Sequence, residues 1–225
     1  MKALLDGDIF VYRIGFASNE ETESIAISRM AVMLEDLVMM PRIETYQGYL
    51  TGSNNYRKEI AKEAPYKGNR KADKPVHYNL LREYLVKGWD FEMAEDQEAD
   101  DAIGIAAYSM DPHDYVIYSI DKDLDMIRGW HYNFVKEKKY YVDEEDTLRT
   151  FYKQVLTGDR VDNIPGLKGV GDKKAEKILG EAKNEKDLFT AVLAAYDNNI
   201  LRMTEMAQLL WIRRKEEEIW TPPNL

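Results

Sequence analysis

The sequence predicts an α/β fold in which a mostly parallel central sheet is flanked by helices and followed by a helical C-terminal region. Short apolar runs typical of buried strands alternate with longer segments of helical periodicity over the first 143 residues. From there onward the pattern is helical only. We therefore expect an α/β core over 1–143 and a helical region over 144–225.

The first half of the core begins with KALLD, a short buried strand that ends at Asp6. A long helix is expected over 22–39, and ETYQGYL is typical of a second strand. A polar, basic segment over about 53–75 follows, with Gly and Pro and little apolar pattern. It separates the second strand from the next helix.

The second half of the core repeats the alternation. A helix over 76–86 precedes the strand-like WDFEM, a helix covers 97–109, and HDYVIYSID is a buried strand ending at Asp121. A strand pair follows over 130–142. Because sites in open parallel sheets lie beyond the carboxyl ends of the strands, we expect the terminal aspartates to meet on one rim.

The composition excludes several classes of site. The chain has no cysteine, which excludes disulfides, thiolate zinc sites and cysteine nucleophiles, and its three histidines are scattered. No apolar run approaches the roughly 20 residues of a membrane helix, and the N-terminus becomes acidic too early for a signal peptide. We expect a soluble, cytoplasmic protein with no membrane partner.

Charge is segregated along the chain, whose net charge is −10. Residues 90–125 contain twelve acidic residues and one lysine, whereas residues 57–87 contain nine basic and four acidic residues. Such a chain has one region suited to cations and another suited to phosphates.

Three acidic clusters carry most of the candidate site: QEADDAIGI, SIDKDLDMI and TGDRVDN. In the first, the acids could serve only the helix N-terminus. However, Glu98 and Asp101 share a face that continues into apolar positions, which disfavours uncompensated charge. Asp6, Asp121 and the start of the helix over 97–109 converge on one rim in the expected sheet, so a metal site is favoured. Carboxylates without His or Cys suit Mg²⁺ or Mn²⁺ and not zinc.

The stretch TGDRVDNIPGLKGVGDKKAEKIL combines glycines with lysines. It is not a P-loop, because Gly171 is followed by Asp-Lys-Lys, and Lys174 occupies the last glycine position of a dinucleotide fingerprint. We expect a glycine-rich turn between two short helices, which holds a phosphate backbone without reading bases.

The order DGD, YKGNRK, EADD, DKD and GDRVDNIPGLKGVGDKKA resembles the structure-specific 5′-nucleases. These are the phage 5′→3′ exonucleases, the flap endonucleases and the 5′-nuclease domain of bacterial DNA polymerase I. The match runs from residue 2 to about 180. It implies a PIN-like fold with a helix–three-turn–helix module over about 162–180 that binds duplex DNA. In similar proteins the turn of this module can bind K⁺ through backbone oxygens.

The resemblance also implies roles for individual residues. Lys67 and Arg70 would contact the scissile phosphate from an arch segment, about 53–75. Tyr66 is either a stacking platform for a terminal base or, as we favour, a packing residue. The implied metal ligands are Asp6, Glu98, Asp100, Asp101, Asp121, Asp123, Asp159 and Asp162. The implied DNA contacts are Arg13, Lys168, Gly169, Gly171, Lys173 and Lys174.

One position departs from the family pattern. Many relatives carry another metal-binding aspartate after the second strand, but no acid occurs here from Thr51 to Asn55. Asp8 is an extra acid near the first metal position. It either replaces the missing ligand or caps the following helix, and we favour the cap.

The expected function is hydrolysis of DNA near 5′ ends or at 5′ flaps by two Mg²⁺ or Mn²⁺ ions. The resemblance implies products with a 5′-phosphate and a 3′-hydroxyl. A monomer is expected, and an RNA–DNA hybrid is a further candidate substrate, as in primer removal. Two alternatives stay open: a non-catalytic DNA-binding protein with a degenerate metal site, and a PIN-like ribonuclease.

Overall fold

A six-stranded sheet forms the centre of the molecule. The computed structural model describes residues 1–69 and 73–223. The strand order is β3-β2-β1-β4-β5-β6, and all neighbours are parallel except the antiparallel pair β5–β6. This confirms the predicted mostly parallel sheet. The strands are β1 (Lys2–Asp6), β2 (Thr45–Thr51), β3 (Glu92–Ala94), β4 (Tyr115–Tyr118), β5 (Gly129–Asn133) and β6 (Lys138–Val142).

Helices cover both faces of the sheet and build the C-terminal region. None of those within residues 1–69 and 73–223 has the length and apolar character needed to cross a bilayer. The helices are α1 (Gly7–Ala17), α2 (Glu23–Val38), α3 (Arg57–Ile60), α4 (Tyr78–Trp89), α5 (Ala99–Tyr108), α6 (Glu144–Thr157), α7 (Asp172–Leu179), α8 (Glu185–Ala195) and α9 (Ile200–Leu210).

Alternation along β1 divides the core into two layers. Ala3 and Leu5 face one side, where they join the buried residues of α1, α2 and α4. Leu4 faces the other side and joins a larger cluster with Ile103 of α5 and Phe151 of α6. That cluster continues into α8 and α9, so the C-terminal helices pack on the same core as the sheet.

Two features near the site differ from the sequence-based expectation. The buried strand that was expected to reach Asp121 ends at Tyr118, so Asp121 lies in the loop beyond it. The expected helix before the glycine-rich turn is also absent: between Thr157 and Asp172 the chain forms only a small antiparallel pair, β7 (Gly158–Asp159) with β8 (Ile164–Pro165). Positive φ angles at Gly158 (69°) and Asn163 (59°) turn the backbone away from helical geometry.

Candidate functional site

The site lies at the topological switch point of the sheet, where the strand order reverses. Strand β1 pairs with β2 on one side and β4 on the other, which opens a crevice at the carboxyl ends of the strands. Asp6 ends β1 and is only 2% exposed. Ser119, just after β4, donates to Asp6 Oδ2 at 2.7 Å and accepts from the backbone N–H of Asp121 at 3.0 Å. Ser119 therefore joins the two strand ends.

Two adjoining cavities collect the acidic side chains. The first has a volume of about 310 Å³ and the second about 760 Å³. They share a wall that includes Lys67, Glu98, Asp100 and Asp121. The structure brings together every predicted metal ligand except Asp101: Asp6, Glu98, Asp100 and Asp121 line the first cavity, and Glu98, Asp100, Asp121, Asp123, Asp159 and Asp162 line the second.

Burial and mutual repulsion disfavour ionisation of these carboxylates. Burial raises the pKa of Asp6 from 3.8 to about 7, with further increases from Asp8 and Asp121. Burial likewise raises the pKa of Asp123 to about 7, reinforced by Asp121 and Asp159. The pKa of Asp100 is also raised, mainly by burial and then by Asp6. Full ionisation of the cavity carboxylates is therefore unfavourable without additional positive charge.

This donor set fits a hard divalent cation chemically, because its donors are carboxylate oxygens. In residues 1–69 and 73–223, no three acidic or histidine side chains have their ligand atoms already gathered for one ion.

The arch segment contributes two side chains to the shared wall. Lys67 Nζ binds Glu98 and lies 3.5 Å from Asp162 Oδ2. The Tyr66 hydroxyl lies 3.0 Å from Glu98 Oε2 and 2.9 Å from Asp162 Oδ2. Tyr66 is 7% exposed, so it packs as we favoured, and burial raises its pKa. Its link between two carboxylates was not predicted, and Arg70 lies outside the described residues.

Backbone contacts fix this part of the arch segment on the loop after α6. The Lys67 N–H donates to the Asp162 carbonyl at 2.8 Å. Asn163 Nδ2 donates to the Pro65 carbonyl at 2.8 Å, and Asn69 Nδ2 to the Arg160 carbonyl at 2.7 Å. Lys67 and Asp162 are therefore held together by main chain as well as by side chains.

Asp101 is a predicted metal ligand that the structure assigns to a different partner. It is completely buried and bound through both carboxylate oxygens to Arg57, at 2.5 and 2.9 Å. Although burial opposes ionisation, the charge and hydrogen bonds of Arg57 outweigh it and lower the pKa of Asp101. Asp101 also accepts from the Glu98 N–H and thereby completes a capping box at the start of α5. Its carboxylate is turned away from both cavities, so we remove it from the candidate ligands.

Asp8 does not cap α1, contrary to our expectation. Asp6 is the N-cap and accepts from the Ile9 N–H at 3.3 Å. Asp8 instead accepts from the Thr51 N–H at 3.0 Å and from Arg82 Nη1 at 2.8 Å. It lines the first cavity at the end of β2 and is already paired with a cation.

Sequence reasoning missed three residues that support the acids: Arg57, Arg82 and Ser119. The two arginines lie in segments with other charged residues, where nothing marks their partners. Ser119 offered a signal, because it is a hydroxyl directly after a buried strand and before an aspartate.

The predicted DNA contacts lie in two places. Lys168, Gly169, Gly171, Lys173 and Lys174 are exposed on the glycine-rich turn and the start of α7. Gly169 has a φ of 76°, and a Cβ at either glycine would meet no atom within 4 Å. The turn is therefore open to a large partner. Arg13 is elsewhere, in a groove of about 410 Å³ that is also lined by Lys122, Lys136 and Lys138.

Comparison with known proteins places this geometry in context. No protein-family model matches the chain. The 5′-3′ exonuclease of Aquifex aeolicus is 29% identical over an alignment that covers 96% of this chain and 77% of that protein. DNA polymerase I of Bacillus caldotenax is 26% identical over 84% of this chain. The match covers 24% of that polymerase, so the chain spans about a quarter of its length.

Solved structures give the fold. A bacteriophage T5 protein co-crystallised with metal ions superposes with a TM-score of 0.69 at 17% identity, covering 93% of this chain and 88% of that one. The T5 flap endonuclease in a pseudo-enzyme–product complex with DNA and metal ions gives a TM-score of 0.63 at 19% identity, with the same coverage. Together the comparisons confirm the predicted resemblance to the structure-specific 5′-nucleases, in sequence and in fold, and support an enzyme of the nuclease class.

Proposed function

We propose that this chain is a metal-dependent 5′-nuclease that hydrolyses phosphodiester bonds near 5′ ends or at 5′ flaps of branched DNA. One observation carries the proposal: carboxylates from separate elements converge on two adjoining cavities with Lys67 in their shared wall. The relatives support the substrate class, because one is named a 5′-3′ exonuclease and another is a flap endonuclease solved with DNA and metal ions.

The carboxylates that line the cavities are the residues that would hold Mg²⁺ or Mn²⁺. Two cavities with a common wall suit two or more ions, with Asp100 and Asp121 available to both. Bound there, such ions supply the activated water and the neutralisation of phosphate charge that phosphodiester hydrolysis requires.

The remaining chemistry belongs to side chains of the arch segment. Lys67 is ion-paired with Glu98 and Asp162 in the shared wall, and this position supports a contact with the scissile phosphate. Such a contact would stabilise developing negative charge by a few kcal/mol. The Tyr66 hydroxyl restricts the orientations of the same two carboxylates. The corresponding role of Arg70 stays a prediction.

The exposed glycine-rich turn and α7 suit a grip on the phosphate backbone of the duplex. Gly171 caps α7 without a side chain, and Lys173 and Lys174 follow it at the helix N-terminus, where backbone N–H groups favour anions. Of the helix–three-turn–helix module expected over about 162–180, only the second helix, α7, forms there. K⁺ at the turn, action on RNA–DNA hybrids, the monomeric state and the cytoplasmic location stay predictions.

Cleavage of three labelled substrates separates this function from its alternatives. A 5′-flap DNA, a matched RNA–DNA hybrid and a single-stranded RNA are each incubated with Mg²⁺ or with EDTA. We expect Mg²⁺-dependent cutting of the flap DNA. Binding of flap DNA without cutting would favour the non-catalytic DNA-binding protein, and preferential cutting of the single-stranded RNA would favour a PIN-like ribonuclease.

A further inference from the structure

A buried ion pair lies directly behind the acidic cavities. Arg57 on α3 and Asp101 in the first turn of α5 are 3% and 0% exposed. Arg57 Nη1 donates to Asp101 Oδ2 at 2.5 Å, and Nη2 donates to Oδ1 at 2.9 Å. Such a bidentate pair fixes the orientation of both groups. Neither side chain lines either of the two acidic cavities, so the proposed hydrolysis does not account for the pair.

Asp101 transmits this contact to the helix terminus that bears two cavity carboxylates. Its Oδ2 accepts from the Glu98 N–H at 3.1 Å, which fixes the N-cap of α5. The Glu98 side chain contacts Tyr66 and Lys67 in the cavity wall. The direction of the first turn of α5, and with it of Glu98 and Asp100, thus depends on Asp101.

The C-terminal strap, residues 211–220, holds the ion pair from the opposite side. The Arg213 N–H donates to Asp101 Oδ1 at 3.1 Å. Arg57 donates to the carbonyl of Trp211 on the strap at 2.6 Å and to that of Leu209, at the end of α9, at 2.9 Å. The strap, α3 and α5 therefore share one buried hydrogen-bond network.

The strap approaches α5 so closely that a side chain at one helix position would displace the strap backbone. A Cβ at Gly104 would lie 2.3 Å from the Arg213 carbonyl oxygen and 2.9 Å from Ile212 Cγ2. Trp211 and Trp220 anchor the strap in the core, and both pack on Phe151. The contact between strap and helix is therefore specified at several positions.

We propose that Arg57 is a positioning residue of the site: together with the strap it holds Asp101, and through Asp101 it orients Glu98 and Asp100 for divalent-ion binding. The inference rests on the proposed function. A purely stabilising ion pair would affect the unfolding free energy alone, whereas a positioning pair also sets the affinity for the ion.

Arg57→Lys tests the proposal, because lysine keeps the charge but loses the bidentate fork and the carbonyl contacts. Mn²⁺ binding to the DNA-free protein is measured by isothermal titration calorimetry, with thermal unfolding in parallel. We expect about tenfold weaker Mn²⁺ binding, as for other residues that orient ligands. On flap DNA, kcat should fall while KM for DNA changes little, because the glycine-rich turn is untouched.

Arg214→Lys is the matched control. Arg214 lies on the same strap, but its guanidinium binds Glu144 and stacks on Tyr108 and Trp211. We expect its Mn²⁺ affinity to equal that of the wild type. An equal loss in both variants would mean general loosening of the strap and would overturn the proposal.

Gly104→Ala perturbs the same hydrogen-bond network at the contact between α5 and the strap. It is the second test variant, used if Arg57→Lys does not fold. It should also weaken Mn²⁺ binding, because the new methyl group displaces the Arg213 backbone from Asp101. Wild-type affinity in a folded Arg57→Lys or Gly104→Ala protein refutes the positioning role and leaves the nuclease function standing. Absence of Mn²⁺ binding by the wild type refutes the proposed function and this inference with it.

Discussion

The raised pKa of Asp6 predicts an inverted pH dependence of stability for the metal-free protein. An acid whose pKa is higher in the folded state than in the unfolded state opposes folding as it ionises. The loss begins above the unfolded pKa near 3.8 and is complete above the folded pKa of about 7. For Asp6, the unfolding free energy lost between pH 5 and pH 8 is on the order of 3 kcal/mol.

Asp6→Asn isolates this effect. Asparagine is a good N-cap through Oδ1, and its Nδ2 then donates to Ser119 Oγ where the carboxylate accepted, so a hydrogen bond is kept at both contacts. In EDTA we expect the variant to gain stability over the wild type from pH 5 to pH 8, by about 3 kcal/mol. With Mg²⁺ at pH 8 the wild type should be more stable than Asp6→Asn, because the ion compensates the carboxylate charge only in the wild type.

Urea denaturation followed by circular dichroism measures these differences at each pH. Glu83→Gln removes a carboxylate from an exposed pair with Lys87 on α4 and is the control, expected to show no such trend. A difference between wild type and Asp6→Asn that stays constant with pH would refute the reasoning, since no proton uptake would then be linked to folding at this position.

Three further predictions follow from the site. Asp8→Asn should lower the melting temperature, because the pairing with Arg82 is lost, but should leave the Mg²⁺ titration of cleavage nearly unchanged; a strong shift would mean that Asp8 replaces the missing aspartate. Lys173→Ala and Lys174→Ala should weaken duplex binding and flatten its dependence on salt without abolishing turnover, as measured by fluorescence anisotropy at several ionic strengths. Tyr66→Phe keeps the packed ring and removes the hydroxyl between two carboxylates, so cleavage should slow by roughly tenfold while unfolding by urea changes by only about 1 kcal/mol.

The sheet and the convergence of the acids were predictable because both follow from local pattern. Apolar runs marked the strands, and the parallel arrangement implied that Asp6 and the loop after β4 would meet. The role of Asp101 was not predictable, since ligands and caps both place acids at a helix N-terminus. The deciding partner, Arg57, lies 44 residues earlier in a run of charged residues.

The backbone conformation of residues 158–166 was also not predictable from the sequence. Its composition suggested a short helix before the glycines, but Gly158 and Asn163 take positive φ angles and fold the chain back on itself. Gly166 packs there with its backbone against the Thr157 carbonyl group, where a Cβ would lie 2.2 Å from the carbonyl carbon. Such close backbone contact comes from tertiary structure, which helix propensity does not report.

Hydrogen bonds join residues 65–69 to residues 160–163. These two segments, which are distant in sequence, are therefore expected to move together. Outward displacement of Lys67 must either break these bonds or draw Asp162 along with it. A nucleic-acid strand that passes beneath the arch segment would therefore disturb the carboxylates as it enters. If the proposed function holds, entry of the strand and adjustment of the carboxylates would be a single event, which would delay hydrolysis until the strand is seated.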